Sequence, residues 1–338
     1  MTHVVRPATL ADLPALHRMA QATGGGFTNL PPDEATLTGK LTRAGAAFAR
    51  QDDTHEDDLY LFVLEDAVTG EVRGTCQIMA RIGCRWPFYS YRIGALTQVS
   101  AQLGRAFRAE TLTLCTDLDG ASEVGGLFLD PAARAGGLGR LLARSRYLFI
   151  ERHRARFAAR TIAELRGMHD AAGSSPFWDG LAGRFFGLPF AEADAFNAIH
   201  GNQFIADLMP RQPIYVAMLT DAARAAIGRP HHSGAPAMRM LEGEGFAFDC
   251  YVDIFDGGPT MIAETDAIAT LRRARTLPLG ARAEVPEGMP ALVSAGRLGA
   301  FRCGEVRLAC HGDAVSLAAA DADALGLAIG DPVTFVAE

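Results

Sequence analysis

Two apolar rhythms alternate along this chain, one recurring every three or four residues and one every second residue, and their order predicts an α+β protein. HVVRPAT reads as a short strand, and LADLPALHRMAQAT as an amphipathic helix with Leu13, Leu16, Met19 and Ala20 on one side. Three glycines and Pro31-Pro32 break that helix, and Pro32-Asp33-Glu34 opens another through about Phe48. The apolar runs Leu59 to Leu64 and Val72 to Ile82 predict a hairpin turning at Thr69-Gly70. TLTLCTD and SEVGGLFLDP add two strands, and a long helix is expected from about 137 to 159.

From residue 161 the pattern resumes with TIAELRGMHDAAG, a strand and turn, then SPFWDGLAGRFFGLPF and ADAFNAIHGNQFIADLMP. Pro210 and Pro213 mark a boundary before IYVAMLTDAARAAIG, which reads as a strand or loop and then a helix. A helix near 266 to 275 and a Pro/Gly-rich stretch through Gly288 lead to short alternating strands with Gly-Asp turns, a small β appendix. The expected domains are 1–160, 161–265 and 266–338. No repeat with a period of about 20 to 50 residues recurs, which excludes a solenoid.

VGGLFLDPAARAGGLGRLLARSRYLF carries the strongest local signal. The strand ends at Asp130-Pro131, and Arg134-Ala-Gly-Gly137-Leu138-Gly139 then opens a helix with Leu141, Leu142, Ser145, Leu148 and Phe149 at helical spacing. Such a turn points several free backbone N–H groups at one spot, where they bind phosphate. A plain tight corner explains a lone G-x-G equally well, but the order strand, D-P, R-x-x-G-x-G is more specific.

Composition narrows the partners. With 338 residues, 49% of them apolar, the chain can bury a substantial core. A net charge of −7 gives no broad basic footprint for nucleic acid, although a local anion site fits. Of 32 basic residues only Lys40 is a lysine, which with abundant Ala and Gly reads as genome bias and lowers the weight of any single Arg. The six cysteines form no CxxC pair and have no zinc spacing, so reduced, mostly buried thiols and no metal are expected. Arg6, Pro7 and Asp12 come too early for a signal peptide, and no run of about 18 apolar residues predicts a membrane span. The expected location is the cytoplasm.

The strand, D-P and R-x-x-G-x-G order resembles the coenzyme A pyrophosphate loop of the GNAT acyltransferase superfamily. That resemblance implies a GNAT-like core in which the backbone of Leu127, Phe128 and Leu129 lies along the pantetheine arm, while Arg134 and the amides of Gly137, Leu138 and Gly139 hold the pyrophosphate. VVRPATLADLPALHRMA is similar to the superfamily's first strand and helix, and two aromatic Gly-Phe segments, SPFWDGLAGRFFGLPF and APAMRMLEGEGF, suggest an elaborated or duplicated core. More narrowly, TGGGFTNLP, FVLED, LFLDP, AELRG, SPFW, RFF, FIADLMP, PIY, EGF and DIFDGGP stand in the order of the bacterial arginine N-succinyltransferases, from about residue 4 to 278, and LGLAIGDPVTFV is like that family's C-terminus. The resemblance implies transfer of succinyl from succinyl-CoA to the α-amine of L-arginine, with no tightly bound cofactor. It also implies a homo-oligomer or pairing with a paralogous subunit.

Attack on the thioester requires a deprotonated amine, whose reference pKa is roughly 8, and a proton for the departing thiolate. A histidine near neutrality does either. His3, His17, His55 and His153 lie among charged or polar neighbours and read as solvated. In GRPHHSGAPA the family places its proton donor four residues before the Ala-Pro, which selects His231, with His232 as the one-residue alternative. A main-chain N–H at Leu127 or Phe128 is the expected oxyanion donor. Arg92 and Arg166 are candidates for the two substrate carboxylates and Glu164, Asp253 and Asp256 for the guanidinium, although DIFDGGP also reads as a strand ending in a capped turn. TGGGFTNLP is either a cover for the amine site or a bare connector.

Two other readings remain at this point: an acyltransferase for ornithine or another basic amine, and a catalytically silent GNAT-like subunit that binds CoA or arginine. A dinucleotide-binding Rossmann protein is disfavoured, because the glycine turn follows a run of strands rather than the first strand of a βαβ series.

Overall fold

The computed structural model describes residues 2–23, 29–134, 136–170 and 173–338. In chain order its main elements are β1 (His3–Pro7), α1 (Leu13–Ala22), α2 (Glu34–Ala49), β2 (Leu59–Asp66), β3 (Val72–Met79), β4 (Ser90–Ser100), β5 (Arg105–Cys115), β6 (Ser122–Leu129) and α3 (Leu138–Arg152). Then come β7 (Arg160–Glu164), α4 (Pro176–Gly180), α5 (Gly183–Phe186), α6 (Phe190–His200), α7 (Gln203–Leu208), β8 (Ile214–Tyr215), α8 (Asp221–Ala226), α9 (Ala235–Gly243), β9 (Ala247–Asp253) and β10 (Pro259–Glu264). The chain ends with α10 (Ala269–Arg273), β11 (Arg275–Arg282), β12 (Met289–Ala295), β13 (Arg302–His311), β14 (Ala314–Leu317), α11 (Ala319–Ala324) and β15 (Pro332–Ala337).

These elements form two compact units. The first takes the chain up to Arg81, Ser122–Ala159 and Glu264–Glu338; the second takes Ile82–Ala121 and Arg160–Ala263. The segments 1–160, 161–265 and 266–338 expected from the sequence are contiguous, whereas these units interleave. The physical reason is strand pairing: β13 lies antiparallel to β1, with Val5 opposite Cys303, so the tail completes the sheet that the first strand begins.

In the first unit the strand order is β12-β15-β11-β14-β13-β1-β2-β3-β6. Helix α1 carries Pro14 in its first turn, where its missing N–H costs no intrahelical bond, and α2 is capped by Asp33, whose carboxylate accepts from the Thr36 amide at 2.7 Å. Residues 141–150 of α3 are all buried, so this helix is the centre of the unit. Phe149 packs edge-on against Phe48, Phe62 and Phe301, with centroids 5.0–5.9 Å apart. Burying each such ring stabilises by about 1.5–3 kcal/mol. The tail joins this packing, with Arg144 Nε donating to Thr270 Oγ1 at 3.0 Å and Arg152 Nη1 to Thr334 Oγ1 at 3.0 Å. The β appendix is therefore part of the core of this unit.

Two local expectations need correction. Helix α3 ends at Arg152, followed by a 3-10 turn over Arg154–Arg156, because His153 leaves the helix to bond elsewhere. That histidine, expected to be solvated, is 2% exposed: its Nδ1 lies 2.9 Å from Phe149 O, and its Nε2 accepts from the Leu298 amide at 3.1 Å. Of the cysteines only Cys76 and Cys303 are buried, while Cys84, Cys250 and Cys310 are exposed.

The second unit has strand order β7-β10-β9-β4-β5-β8. Its core is aromatic: Trp178 stacks on Phe186 and on Phe255, both at 5.6 Å, and Tyr91 meets Phe177 at 6.0 Å. The SPFW, RFF and DIF motifs thus build this core.

Candidate functional site

In the first unit the chemistry begins at a backbone irregularity. The β3–β6 register slips between Thr75 and Gln77, and Gly126, at φ +59°, is the extra residue. A Cβ there would stand 2.9 Å from Gln77 Cγ, so only glycine fits the bulge. Leu127, Phe128 and Leu129 follow, with Phe128 opposite Thr75 and Leu129 opposite Gly74. The Asp130 carboxylate then caps the turn by accepting from the Ala132 amide at 2.9 Å, and Arg134 Nε donates to Leu129 O at 3.1 Å. That bond anchors an exposed guanidinium to the end of the strand.

Gly136 and Gly137 adopt φ +68° and +82°, and Gly137 leads into α3. The amides of Arg140 and Leu141 both return to Gly137 O, which leaves the earlier N–H groups of Leu138 and Gly139 without a carbonyl in the helix. First-turn amides without a carbonyl in the helix, at the positive end of 15 helical residues and beside an anchored Arg, suit a pyrophosphate.

Below the bulge lies a polar group that sequence reasoning did not assemble. Gln77 Nε2 donates to Asn29 Oδ1 at 2.7 Å, Lys40 Nζ donates to Asn29 O, and Glu123 on β6 is 3% exposed. No spacing links positions 29, 40, 77 and 123; the pairing of β3 with β6 brings Gln77 near Glu123, and Asn29 ties Gln77 to Lys40 on α2. Of TGGGFTNLP, residues 24–28 lie outside the described residues.

The second unit gathers most of the other candidates. An isolated bridge pairs Gly167 with Pro230, and the His231 amide donates to Arg166 O at 2.7 Å, so the AELRG and GRPHHSG loops are held side by side. His231 caps the 3-10 turn His232–Gly234, with Nδ1 2.7 Å from Ser233 Oγ, and His232 is exposed beside it with ring centroids 3.9 Å apart. His169 stands 6.3 Å from His231 by ring centroids. Its Nδ1 lies 3.2 Å from Arg166 Nε, a donor, and 3.0 Å from Gly167 O, an acceptor, so one tautomer satisfies only one of the two.

Burial holds His231 below the usual histidine range, helped by the neighbouring His232, Arg166 and His169. Burial and Arg166 do the same to His169. The carboxylates move the other way. Burial drives Asp253 and Asp256 upward, and burial beside Asp253 pushes Asp194 on α6 up to about 6.

Asp256 is committed to the turn, accepting from the Gly167 amide at 2.7 Å and the Gly258 amide at 2.8 Å. Asp253 Oδ1 likewise takes the Phe255 and Asp256 amides, at 2.7 and 2.8 Å. Glu164 ends β7 half-buried. Arg92 is not in this group; it is exposed on β4 and paired with Asp117 at 3.2 Å. His169 and Asp194 were missed, because a lone His in RGMHD and a lone Asp in an alanine-rich helix carry no spacing signal.

A family model described as the arginine N-succinyltransferase beta subunit matches residues 3–270, and that of its C-terminal domain matches 272–337. The chain belongs to the arginine N-succinyltransferase family. An arginine N-succinyltransferase of Salmonella arizonae is 41% identical over 334 residues, covering 98% of this chain and 97% of the relative. One of Salmonella paratyphi B is 41% identical over 340 residues at the same coverage. The solved structure of subunit AI of the arginine/ornithine succinyltransferase from Pseudomonas aeruginosa superposes with a TM-score of 0.89 at 35% identity, covering 99% and 98% of the two chains. The α+β acyltransferase fold expected from the sequence is thereby borne out. Among the described residues no helix is long and apolar enough to cross a membrane.

Proposed function

We propose that this family member transfers the succinyl group of succinyl-CoA to the α-amine of L-arginine, releasing N2-succinylarginine and CoA in cytoplasmic arginine breakdown, with no tightly bound cofactor. The observation that carries this is near-complete alignment in both directions with relatives named for that reaction. The bulged strand and glycine loop opening α3 support it as an acyl-CoA cradle.

In this reading Arg134 and the amides of Gly137, Leu138 and Gly139 take the pyrophosphate, and the backbone of Leu127 to Leu129 runs along the pantetheine arm. A main-chain N–H at Leu127 or Phe128 steadies the thioester oxyanion. The attacking amine gives up a proton and the thiolate gains one: His231 Nε2–H protonates the thiolate while Nδ1, which accepts from Ser233, takes up the amine's proton through the Ser233 hydroxyl. Asp194 and Asp253, anions crowded by burial, receive the substrate guanidinium, and Arg166 receives the amino-acid carboxylate. Asp256 holds the turn beneath them.

A second substrate, ornithine, is favoured by one observation: the Pseudomonas relative is named for both amines. That relative is also named a subunit, which supports assembly with like or paired chains. Thiol release from succinyl-CoA with L-arginine, L-ornithine or no amine, with acetyl-CoA as acyl control, tests the reading. Arginine-dependent release selective for succinyl-CoA supports it; no amine-dependent release by a folded, CoA-binding protein leaves a silent CoA-binding subunit.

A further inference from the structure

The chain's one lysine is turned inward. Lys40 Nζ donates to Asn29 O at 2.5 Å, its single hydrogen bond among the described residues, and an ammonium has three protons to give. Asn29 is the link to β6. A Cβ on Gly125 would stand 3.1 Å from Asn29 Nδ2 and 3.0 Å from Glu123 Oε1. From α3, Arg146, 4% exposed, reaches the same glycine: Nη1 donates to Gly125 O at 3.4 Å while Nε donates to Ala143 O at 3.0 Å. Both acceptors are neutral carbonyls, and no carboxylate pairs with Arg146 among the described residues.

Two cations and one carboxylate therefore gather around Gly125, two residues before the strand segment assigned to the pantetheine arm. The group carries a net positive charge where water is scarce. Burial has lowered the Lys40 ammonium to about 8, against the pull of Glu123, the mark of a cation whose charge is only partly answered. An added anion would balance it. A succinyl group differs from a simple acyl chain by the free carboxylate at its far end, and that carboxylate must find a cation once it leaves water. Arg92, exposed and paired with Asp117, is spent elsewhere.

We propose that Lys40, backed by Arg146, forms the subsite that reads the free carboxylate of a dicarboxylic acyl-CoA. This rests on the succinyl-transfer reading and names the residue that makes it selective. Butyryl-CoA, with a methyl in place of the carboxylate, is the matched probe, and calorimetric binding reads the subsite without turnover. Lys40→Met should weaken succinyl-CoA about 10- to 100-fold, the worth of a hydrogen bond to a charged group, and leave butyryl-CoA and free CoA unchanged. Lys40→Arg should recover most of the preference. Should Lys40→Met not fold, Lys40→Gln gives the same comparison.

Equal weakening of both acyl-CoAs, or an unchanged ratio between them, overturns the proposal and makes Lys40 structural. Failure of the amine-transfer reading shows separately, as wild-type protein that binds succinyl-CoA with a Lys40-dependent preference yet releases no thiol with arginine.

Discussion

His231 Nδ1 accepts from the Ser233 amide at 3.3 Å and lies 2.7 Å from Ser233 Oγ, so Ser233 fixes the imidazole and leaves Nε2 to exchange protons. With burial and three cationic or titratable neighbours lowering its pKa, this imidazole is neutral at pH 7; because Nδ1 accepts, its proton sits on Nε2, ready for the departing thiolate, while Nδ1 can take a replacement through Ser233 Oγ. His231→Gln should lower kcat about 10²- to 10⁴-fold with little change in the KM for succinyl-CoA. The acid limb of kcat/KM should fall below the usual histidine range. Arg166→Gln removes a cation and should move that limb upward, since only the Arg166 main chain bonds His231. A limb that stays in place would show that another group titrates.

Arg134 and Gly137 give the acyl-CoA cradle a test of its own. Gly137 sits at φ +82° with open space around its Cα, so Gly137→Ala acts through backbone strain of about 1–2 kcal/mol and through no clash. Arg134→Ala removes the exposed guanidinium anchored on Leu129 O. Both should raise the KM for succinyl-CoA, Arg134→Ala by about tenfold, and both should leave the KM for arginine unchanged. Equal effects on the two KM values would mean the loop supports the fold rather than the ligand.

Asp194 separates an amine-binding acid from a turn-building one. Its carboxyl, pushed up to about 6, is ionised only above that pH. The KM for arginine should therefore rise as pH falls through about 6. Asp194→Asn should raise it at least about tenfold at pH 8 and flatten the dependence. Asp256→Asn should instead lower stability by about 1–3 kcal/mol, because that carboxylate accepts two buried amides. If Asp194→Asn leaves the arginine KM alone, the guanidinium binds elsewhere.

What the sequence revealed and what it concealed divide along physical lines. The glycine loop was legible because its conformation is written in the backbone: only glycine reaches φ +68° and +82° cheaply, so the need shows as letters. Strand β4 was not, because its outer half is exposed on both faces and presents no apolar run. Lys40 looked like the residue of a biased genome, and only the tertiary bonds of Asn29, to Lys40 on α2 and Gln77 on β3, place it beside the strand that pairs with β6. His153 misled for a related reason. Glu151, Arg152 and Arg154 flank it with charge, yet its partner Leu298 lies 145 residues further on, beyond any local pattern.

That buried histidine carries the last prediction. Because Nε2 accepts from the Leu298 amide, the proton of the neutral ring must sit on Nδ1, which donates to Phe149 O. Leu298 itself holds φ +48°, a left-handed conformation for a residue with a Cβ, so the turn depends on this bond. Burial, with Arg297, Arg156 and Arg152 nearby, lowers His153 to about 4. The unfolded ring titrates near 6.5. The folded state therefore binds its proton at lower pH than the unfolded state, and the stabilisation is fully present above about 6.5 and lost as pH falls toward 4. The loss amounts to as much as about 3 kcal/mol. His153→Gln should be less stable than wild type at pH 7.5, and the gap in Tm should narrow steadily as pH falls to 4. Parallel curves over that range would mean that His153 titrates alike in the folded and unfolded states, and that acid loosens the unit through its carboxylates alone.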